Sequence, residues 1–352
     1  MRLEGRSSGQ GVRSQAEGDG AVNGTSKKRV AVVGARGLVG QELCSLLLRH
    51  PTLELSHCWS TQELTGDNSN PVPGAPAIQA WNGGAGVDAV LLATPHGASA
   101  QLAAEALDQG AVVIDLSGDL RIKDLALWEA TYEQTHPCPG LVDMAVYGLT
   151  ELARDEIKNA QLIANPGCYP TSVLLAVKPL VQADLLQPDA TLISDSKSGV
   201  SGAGASPKAS TQYANVHENF YAYGVGNHRH APEIQAHLGG PKIMFVPHLL
   251  PCFRGILSTI YVQPREGLGM KEIHAALSEQ YAQETFVRVL PAGEQPSLHA
   301  VQNTNNCLLG VAAVSSGVVI TSAIDNLQKG AAGQALQNMN LALGLQESEG
   351  LL

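Results

Sequence analysis

A two-domain α/β fold is predicted by three observations. An apolar strand, a glycine turn and a helical run open the patterned part of the chain, short apolar strands then alternate with helices, and the second half changes to longer strands. At 352 residues the chain can bury two separate cores. Residues 1–28 are rich in Gly, Ser, Arg, Gln and Asp and nearly devoid of large apolar groups, so they cannot offset the entropy of ordering and are expected to form a disordered leader. From Arg29 the strand Val30–Val33 enters a glycine turn and then a helical run, Glu42–Leu48, that stops before Pro51. A second strand is expected over Leu53–Trp59. Further strands, Ala89–Ala93 and Ala111–Asp115, flank the alanine-rich helix Ser99–Gln109, and this alternation implies a parallel sheet. After Cys168 a helix is expected over Thr171–Gln182. Lys242–Val246, Gly255–Val262 and the hairpin Leu308–Val314 with Val318–Ser322 then read as an antiparallel sheet. The helical segment Gln328–Leu343 can return over the first domain. The expected division is a dinucleotide-binding domain over 29–167, completed by 325–352, and a second domain over 168–324.

Charge and cysteine usage narrow the function. With 22 basic against 32 acidic residues the formal net charge is −10, which disfavours nucleic acid and anionic membrane surfaces as partners and leaves small molecules as the expected ligands. No apolar run reaches the roughly 20 residues that span a bilayer, and the N-terminus lacks a secretory apolar core, so a cytoplasmic protein is expected. The six cysteines, Cys44, Cys58, Cys138, Cys168, Cys252 and Cys307, show neither metal-ligand spacing nor a disulfide framework, so reduced thiols and no metal are expected.

Four runs carry chemistry. In Gly34-Ala35-Arg36-Gly37-Leu38-Val39-Gly40 the glycines fall three apart between strand and helix, the context of a pyrophosphate-binding turn. Where an NAD site usually presents an acidic residue after its second strand, this chain has Ser60-Thr61-Gln62; hydroxyls and Arg36 suit a 2′-phosphate, so NADP is expected. Asn165-Pro166-Gly167-Cys168-Tyr169-Pro170-Thr171 aims a cysteine at a helix start, where N–H groups and the helix dipole favour a thiolate nucleophile; the alternative is a space-filling buried thiol. His228-Arg229-His230-Ala231-Pro232-Glu233 opens another helix with groups able to move protons, Glu233 being placed to orient an imidazole. Two histidines separated by one residue could also bind zinc, but no nearby cysteine or third histidine stands in motif spacing. Finally, the small-residue loop Ser198–Gly204, with Ser201 within it, can approach an anion or cofactor closely. Arg121 and Arg254 each flank a strand and suit carboxylate or phosphate.

Taken in order, Asn165–Thr171, Ser198–Gly204, His228–Ile234, Pro247–Ile256 and the tail Asp325–Ala335 resemble the N-acetyl-gamma-glutamyl-phosphate reductases, NADPH-dependent enzymes of arginine biosynthesis, from about Lys28 to near the C-terminus. The resemblance implies a Rossmann-type domain completed by the C-terminal helix and a second α+β domain like that of glyceraldehyde-3-phosphate dehydrogenase, which also builds a homodimer or homotetramer. It implies Cys168 as nucleophile on an acyl phosphate, the pair His228 and His230 as acid/base, and Asn326 beside the nicotinamide. Cofactor contacts are expected from Gly34, Arg36, Gly37, Leu38, Val39, Ser60, Thr61, Ser117, Ser198, Gly199 and Asn326, and substrate contacts from Asn165, Arg121, Ser201, Lys208 and Arg254. The chain departs from the family at Arg36, where a small hydroxyl residue is more usual, at Leu38 in place of an aromatic, and at Ala205, with Lys208 three positions beyond the usual basic residue. The related readings are a lysine-pathway aminoadipyl-phosphate reductase, whose carrier protein is a poor match for this acidic chain, and aspartate-semialdehyde dehydrogenase. Retention of Cys168 with both histidines disfavours a non-enzymatic NADP-binding sensor.

Overall fold

The computed structural model describes residues 27–64, 68–205 and 209–352. The leader expected over 1–28 lies outside the described residues except for Lys27 and Lys28, and Lys28 already belongs to the first strand. In chain order the elements are β1 (Lys28–Val33), α1 (Leu38–Leu48), β2 (Leu53–Ser60), β3 (Ile78–Ala80), β4 (Ala89–Leu92), α2 (Ser99–Asp108), β5 (Val112–Asp115), α3 (Leu125–Tyr132), β6 (Val146–Tyr147), α4 (Thr150–Ile157), β7 (Leu162–Ala164) and α5 (Cys168–Gln182). The second half adds β8 (Leu192–Gly199), α6 (Tyr213–Val216), β9 (Tyr221–Ala222), α7 (His230–Leu238), β10 (Ile243–Leu250), β11 (Ile256–Val262), α8 (Met270–Gln280), β12 (Val287–Val289), β13 (Cys307–Val314), β14 (Gly317–Ile324) and α9 (Gly333–Ala342).

The first sheet is parallel throughout, in the order β3-β2-β1-β4-β5-β7-β6. Its central strands are unbroken apolar runs because both faces are covered. Val30, Val32, Leu91 and Ile114 pack with Leu43 and Leu47 of α1 and with Leu336 and Met339 of α9, whereas Ala31, Val33, Val90 and Val113 pack with Ala100, Ala103 and Ala106 of α2. The C-terminal helix therefore closes one face of the first sheet. Strand order reverses beside β1, and the crevice at the C-terminal ends of β1 and β4 is the ligand position such a sheet dictates.

The second sheet runs β12-β13-β14-β11-β8-β10-β9. It is mixed rather than antiparallel as the sequence suggested: β8 with β10 and β12 with β13 run parallel, the rest antiparallel. Helix α7 provides the crossover from β8 to β10, so this pair is parallel for the same reason as the first sheet. One face carries α5 and α8 over a core including Val173, Val177, Ile260, Ile273 and Ile320. On the opposite face residues alternate outward, leaving Ile193, Met244 and Tyr261 exposed.

Two helix starts differ from expectation in ways that matter for the site. Helix α1 begins at Leu38, directly after the glycine turn, and α5 begins at Cys168 rather than Thr171, with Pro170 inside the first turn where no N–H is missed. The tail segment enters α9 through a π-helical turn, Gln328–Ala332, beside Cys168.

Candidate active site

A cavity of about 940 Å³ lies between the two sheets. Its floor is the turn after β1. A Cβ on Gly40 would lie 2.2 Å from the carbonyl oxygen of Gly34, so the tight turn into α1 needs glycine there. Gly34, Arg36, Gly37, Leu38 and Val39 line this end, with Ser60 and Thr61 at the tip of β2. Ser117 also lines the cavity; its N–H and hydroxyl donate to the Asp115 carboxylate at 2.8 and 2.9 Å. The buried Thr94 hydroxyl, at the end of β4, lines the cavity and has no hydrogen-bond partner among the described residues. No carboxylate lines the cavity among the described residues, whereas Arg36, Arg121, Arg229, His96, His228 and His230 all do. In a chain of net charge −10, this concentrates positive potential where an anionic dinucleotide and a phosphate would bind.

At the other end, β7 delivers Asn165 and Gly167 caps α5, placing Cys168 at the first helical position. A Cβ on Gly167 would lie 2.6 Å from His230 Nε2 and 2.9 Å from Arg121 Nη1, which sets both groups against the cysteine's backbone. Gly330 of the π-helical turn closes the far side, since a Cβ there would lie 2.9 Å from Cys168 Cβ. Asn326 also faces the cavity: its side-chain NH₂ donates to Ser201 Oγ at 2.9 Å and its oxygen accepts from Gly255 N at 2.6 Å. Asn165 and Ser201 line the cavity as well.

The electrostatics differ from the sequence expectation at Cys168. Burial pushes its thiol up to about 11, outweighing the Arg121 charge and the N–H groups of Tyr169 and Cys168 that pull the other way. The resting group is a thiol, because desolvation outweighs the helix terminus. Burial likewise depresses His230 to about 3 and His228 to about 4, so both imidazoles are neutral proton acceptors at physiological pH.

Glu233 lies fully buried behind the cavity and does not orient an imidazole through a hydrogen bond. Its Oε1 accepts from Gly167 N at 2.9 Å and Tyr147 Oη at 2.8 Å, and its Oε2 pairs with Arg121 Nη1 at 3.3 Å. Burial alone would raise its pKa, but Arg121, His230 and these donors together hold it below the ordinary carboxylate range. His230 Nδ1 is buried without a partner among the described residues. His228 Nδ1 accepts from His230 N at 3.1 Å, and the His228 ring sits among Tyr169, Tyr223 and Phe245, so of the two histidines only His230 reaches the Gly167–Cys168 backbone.

Other expected contacts lie elsewhere. Ser198 and Gly199 do not line the cavity: β8 continues in register through both, Ser198 Oγ donates to Gly199 O at 3.0 Å, and Gly199 is pressed against Phe253 and Arg254 backbone. Arg254 uses its guanidinium to join the domains, with Nε 3.0 Å from Asp325 Oδ2, Nη2 3.0 Å from Glu42 Oε2 and Nη1 donating to Asn303. It is not available to a substrate phosphate. Lys208 lies outside the described residues. The sequence reading missed Tyr147, Tyr132 and His96. Pro95-His96-Gly97 at the C-terminal end of β4 was a discoverable signal, since loops there face the ligand crevice; nothing local distinguishes the two tyrosines.

Comparison with known proteins places these features in a family. The description "semialdehyde dehydrogenase, NAD binding domain" matches residues 29–160, and "semialdehyde dehydrogenase, dimerisation domain" matches 168–326. Proteins named N-acetyl-gamma-glutamyl-phosphate reductase are 44% identical in Laribacter hongkongensis, over 92% of this chain and 97% of that protein, and 41% identical in Neisseria meningitidis, over 93% and 98%. Among solved structures, aspartate semialdehyde dehydrogenase II of Vibrio cholerae superposes with a TM-score of 0.68 at 19% identity, covering 90% of this chain and 98% of that one. The Candida albicans aspartate semialdehyde dehydrogenase with NADP gives 0.61 at 14% identity, covering 90% and 98%. At such identities these two share the fold.

Proposed function

We infer that this chain, which belongs to the semialdehyde dehydrogenase family and within it to the N-acetyl-gamma-glutamyl-phosphate reductases, reduces N-acetyl-L-glutamyl 5-phosphate to N-acetyl-L-glutamate 5-semialdehyde with release of phosphate. The observation that carries this reading is the position of Cys168, at the start of α5 with His230 beside it, facing a cleft lined by three arginines and no carboxylate among the described residues. The glycine turn, Ser60, Thr61 and Arg36 fit an NADP molecule, and the orphaned Thr94 hydroxyl offers it a further hydrogen bond. NADPH held there would supply a hydride to the acyl carbon.

The chain's own residues perform the rest. The Cys168 sulfur attacks the acyl carbon, the C–O bond to phosphate breaks, and the thiol proton passes through His230 Nε2 to the departing phosphate, leaving a thioester. The N–H groups of Cys168 and Tyr169 lie at the sulfur and are placed to stabilise charge on the carbonyl oxygen. His230, protonated from solvent, gives a proton to that oxygen when the acyl carbon is reduced. It recovers the proton as the thiohemiacetal collapses and passes it to the departing sulfur, which restores aldehyde, cysteine thiol and neutral imidazole. Arg121, immobilised by Glu233, Asn165 O and Leu116 O, keeps a positive charge beside the reacting centre.

The chain self-associates through the second domain, and we assign the contact to the uncovered sheet face bearing Ile193, Met244 and Tyr261, forming a homodimer. The assay is phosphate-dependent reduction of NADP by N-acetyl-glutamate 5-semialdehyde, the reverse reaction, with aspartate and aminoadipate semialdehydes as competitors. Cys168→Ser should lower turnover by several orders of magnitude while NADPH still binds. Turnover independent of phosphate, or an active Cys168→Ser enzyme, would overturn the reading.

A further inference from the structure

The reaction above accounts for the reactive end of the substrate and leaves its other end without a recognised partner. N-acetyl-glutamyl phosphate carries an α-carboxylate at the far end from its acyl carbon, and transferring a carboxylate from water into a cleft requires a compensating cation. Among the described residues the permanent cations lining the cavity are Arg36, Arg121 and Arg229. Arg36 stands in the dinucleotide turn. Arg121 is committed at all three nitrogens: Nε donates to Asn165 O at 2.8 Å, Nη2 to Leu116 O at 2.6 Å, and Nη1 pairs with Glu233.

Arg229 is different in exposure and in setting. It immediately precedes His230 and α7, yet its side chain crosses to the first domain, where Cζ lies 5.5 Å from the centre of the Tyr132 ring and Nη1 donates to the His96 ring. The His96 and Tyr132 rings are themselves 5.2 Å apart and form one aromatic shelf. Burial and then the Arg229 charge hold the His96 pKa below its ordinary value, so the imidazole is neutral and accepts from the guanidinium. The shelf fixes a planar fork of donors against the cavity wall, with no carboxylate side chain paired to it among the described residues. Such a fork is the arrangement that recognises a carboxylate in two places at once.

We propose that Arg229, held by His96 and Tyr132, binds the substrate α-carboxylate and is the residue by which this enzyme distinguishes an N-acetyl amino acid from a simple acylamino aldehyde. This rests on the proposed reaction. The pairing to His96 also means that a bound carboxylate bridges the two domains, since Arg229 belongs to the second and its shelf to the first.

The test uses the full-length enzyme in the reverse direction with two aldehydes, N-acetyl-glutamate 5-semialdehyde and 4-acetamidobutanal, which is the same molecule without its carboxylate. The wild type should favour the first by about 100-fold in kcat/KM. Arg229→Gln should raise KM for N-acetyl-glutamate 5-semialdehyde by a similar factor and leave kcat/KM for 4-acetamidobutanal and the Kd for NADP within about threefold of wild type. Arg229→Lys should recover part of the preference, because charge is kept and the fork is lost. A variant that retains the wild-type ratio, or that loses both aldehydes equally, would overturn the proposal and make Arg229 a purely interdomain contact. A wild-type enzyme that turns over neither aldehyde would instead overturn the reaction beneath it.

Discussion

The reactivity of Cys168 as a function of pH tests the balance between the helix terminus and burial. Burial holds the thiol at about 11 and the neighbouring His230 at about 3, so neither order of titration yields a thiolate–imidazolium pair in the resting enzyme. At pH 7 a thiol of that pKa is ionised to about one part in 10⁴, against a few per cent for a free cysteine. Carbamidomethylation of Cys168 by iodoacetamide, followed by peptide mass spectrometry so that Cys138 and Cys252, partly exposed like Cys168 itself, are resolved separately, should be about 300-fold slower at pH 7 than that of a free thiol. Its rate should climb about tenfold per pH unit from pH 6 to pH 10, with no intermediate step. A flat, fast rate between pH 5 and pH 8 would refute the reasoning, because only a preformed ion pair reacts independently of pH in that range. The expected profile assigns activation of the sulfur to proton transfer in the substrate complex, with His230 as acceptor, rather than to the free enzyme.

Three further outcomes follow from the packing around the site. Lys329 and Glu151 form a fully buried pair, Nζ to Oε1 2.7 Å, in which Lys329 also donates to Gln337; Lys329→Met strands a buried carboxylate and should cost about 3–5 kcal/mol in urea unfolding, whereas Lys329→Met with Glu151→Leu should recover most of that loss. Gly330→Ala sets a methyl group 2.9 Å from Cys168 Cβ, so steady-state assays should show a loss of kcat of about 100-fold or more against a stability loss of only about 1–3 kcal/mol by thermal melting. Burial and then Asp119 raise Asp115 from 3.8 to about 6. Its contribution to stability is therefore complete below the unfolded value and is lost as pH rises through the folded one; Asp115→Asn should remove about 2 kcal/mol of the fall in unfolding free energy between pH 4 and pH 6.5, measured by urea titration.

What could be read from the chain was whatever depends on near neighbours. The runs Val30–Val33 and Ala89–Leu92 are apolar at every position because helices cover both faces, and the glycine turn between β1 and α1 has its meaning in seven consecutive residues. The clustering of Cys168, His230 and Asn326 in one cleft was legible only through the resemblance, since their mutual approach depends on two sheets and a returning tail. Three features depend on competition between distant groups and had no local signature. A cysteine at a helix start promises a lowered pKa, yet the tail turn at Gly330 presses on its Cβ and the ring of His230 on the Gly167 backbone beside it, and desolvation outweighs the helix end. Glu233 is four residues from Arg229 and three from His230, but its partners are Gly167, Tyr147 and Arg121, brought from the first domain, so sequence proximity pointed to the wrong contact. Arg254 and Arg229 are the same side chain on similar loops, and they diverge because Asp325 and Glu42 await one while, among the described residues, the aromatic rings of His96 and Tyr132 await the other. A guanidinium met by carboxylates is spent on the fold; one met by a neutral imidazole and a phenol ring keeps its charge for a ligand, and that difference in company separates a domain tie from a binding group.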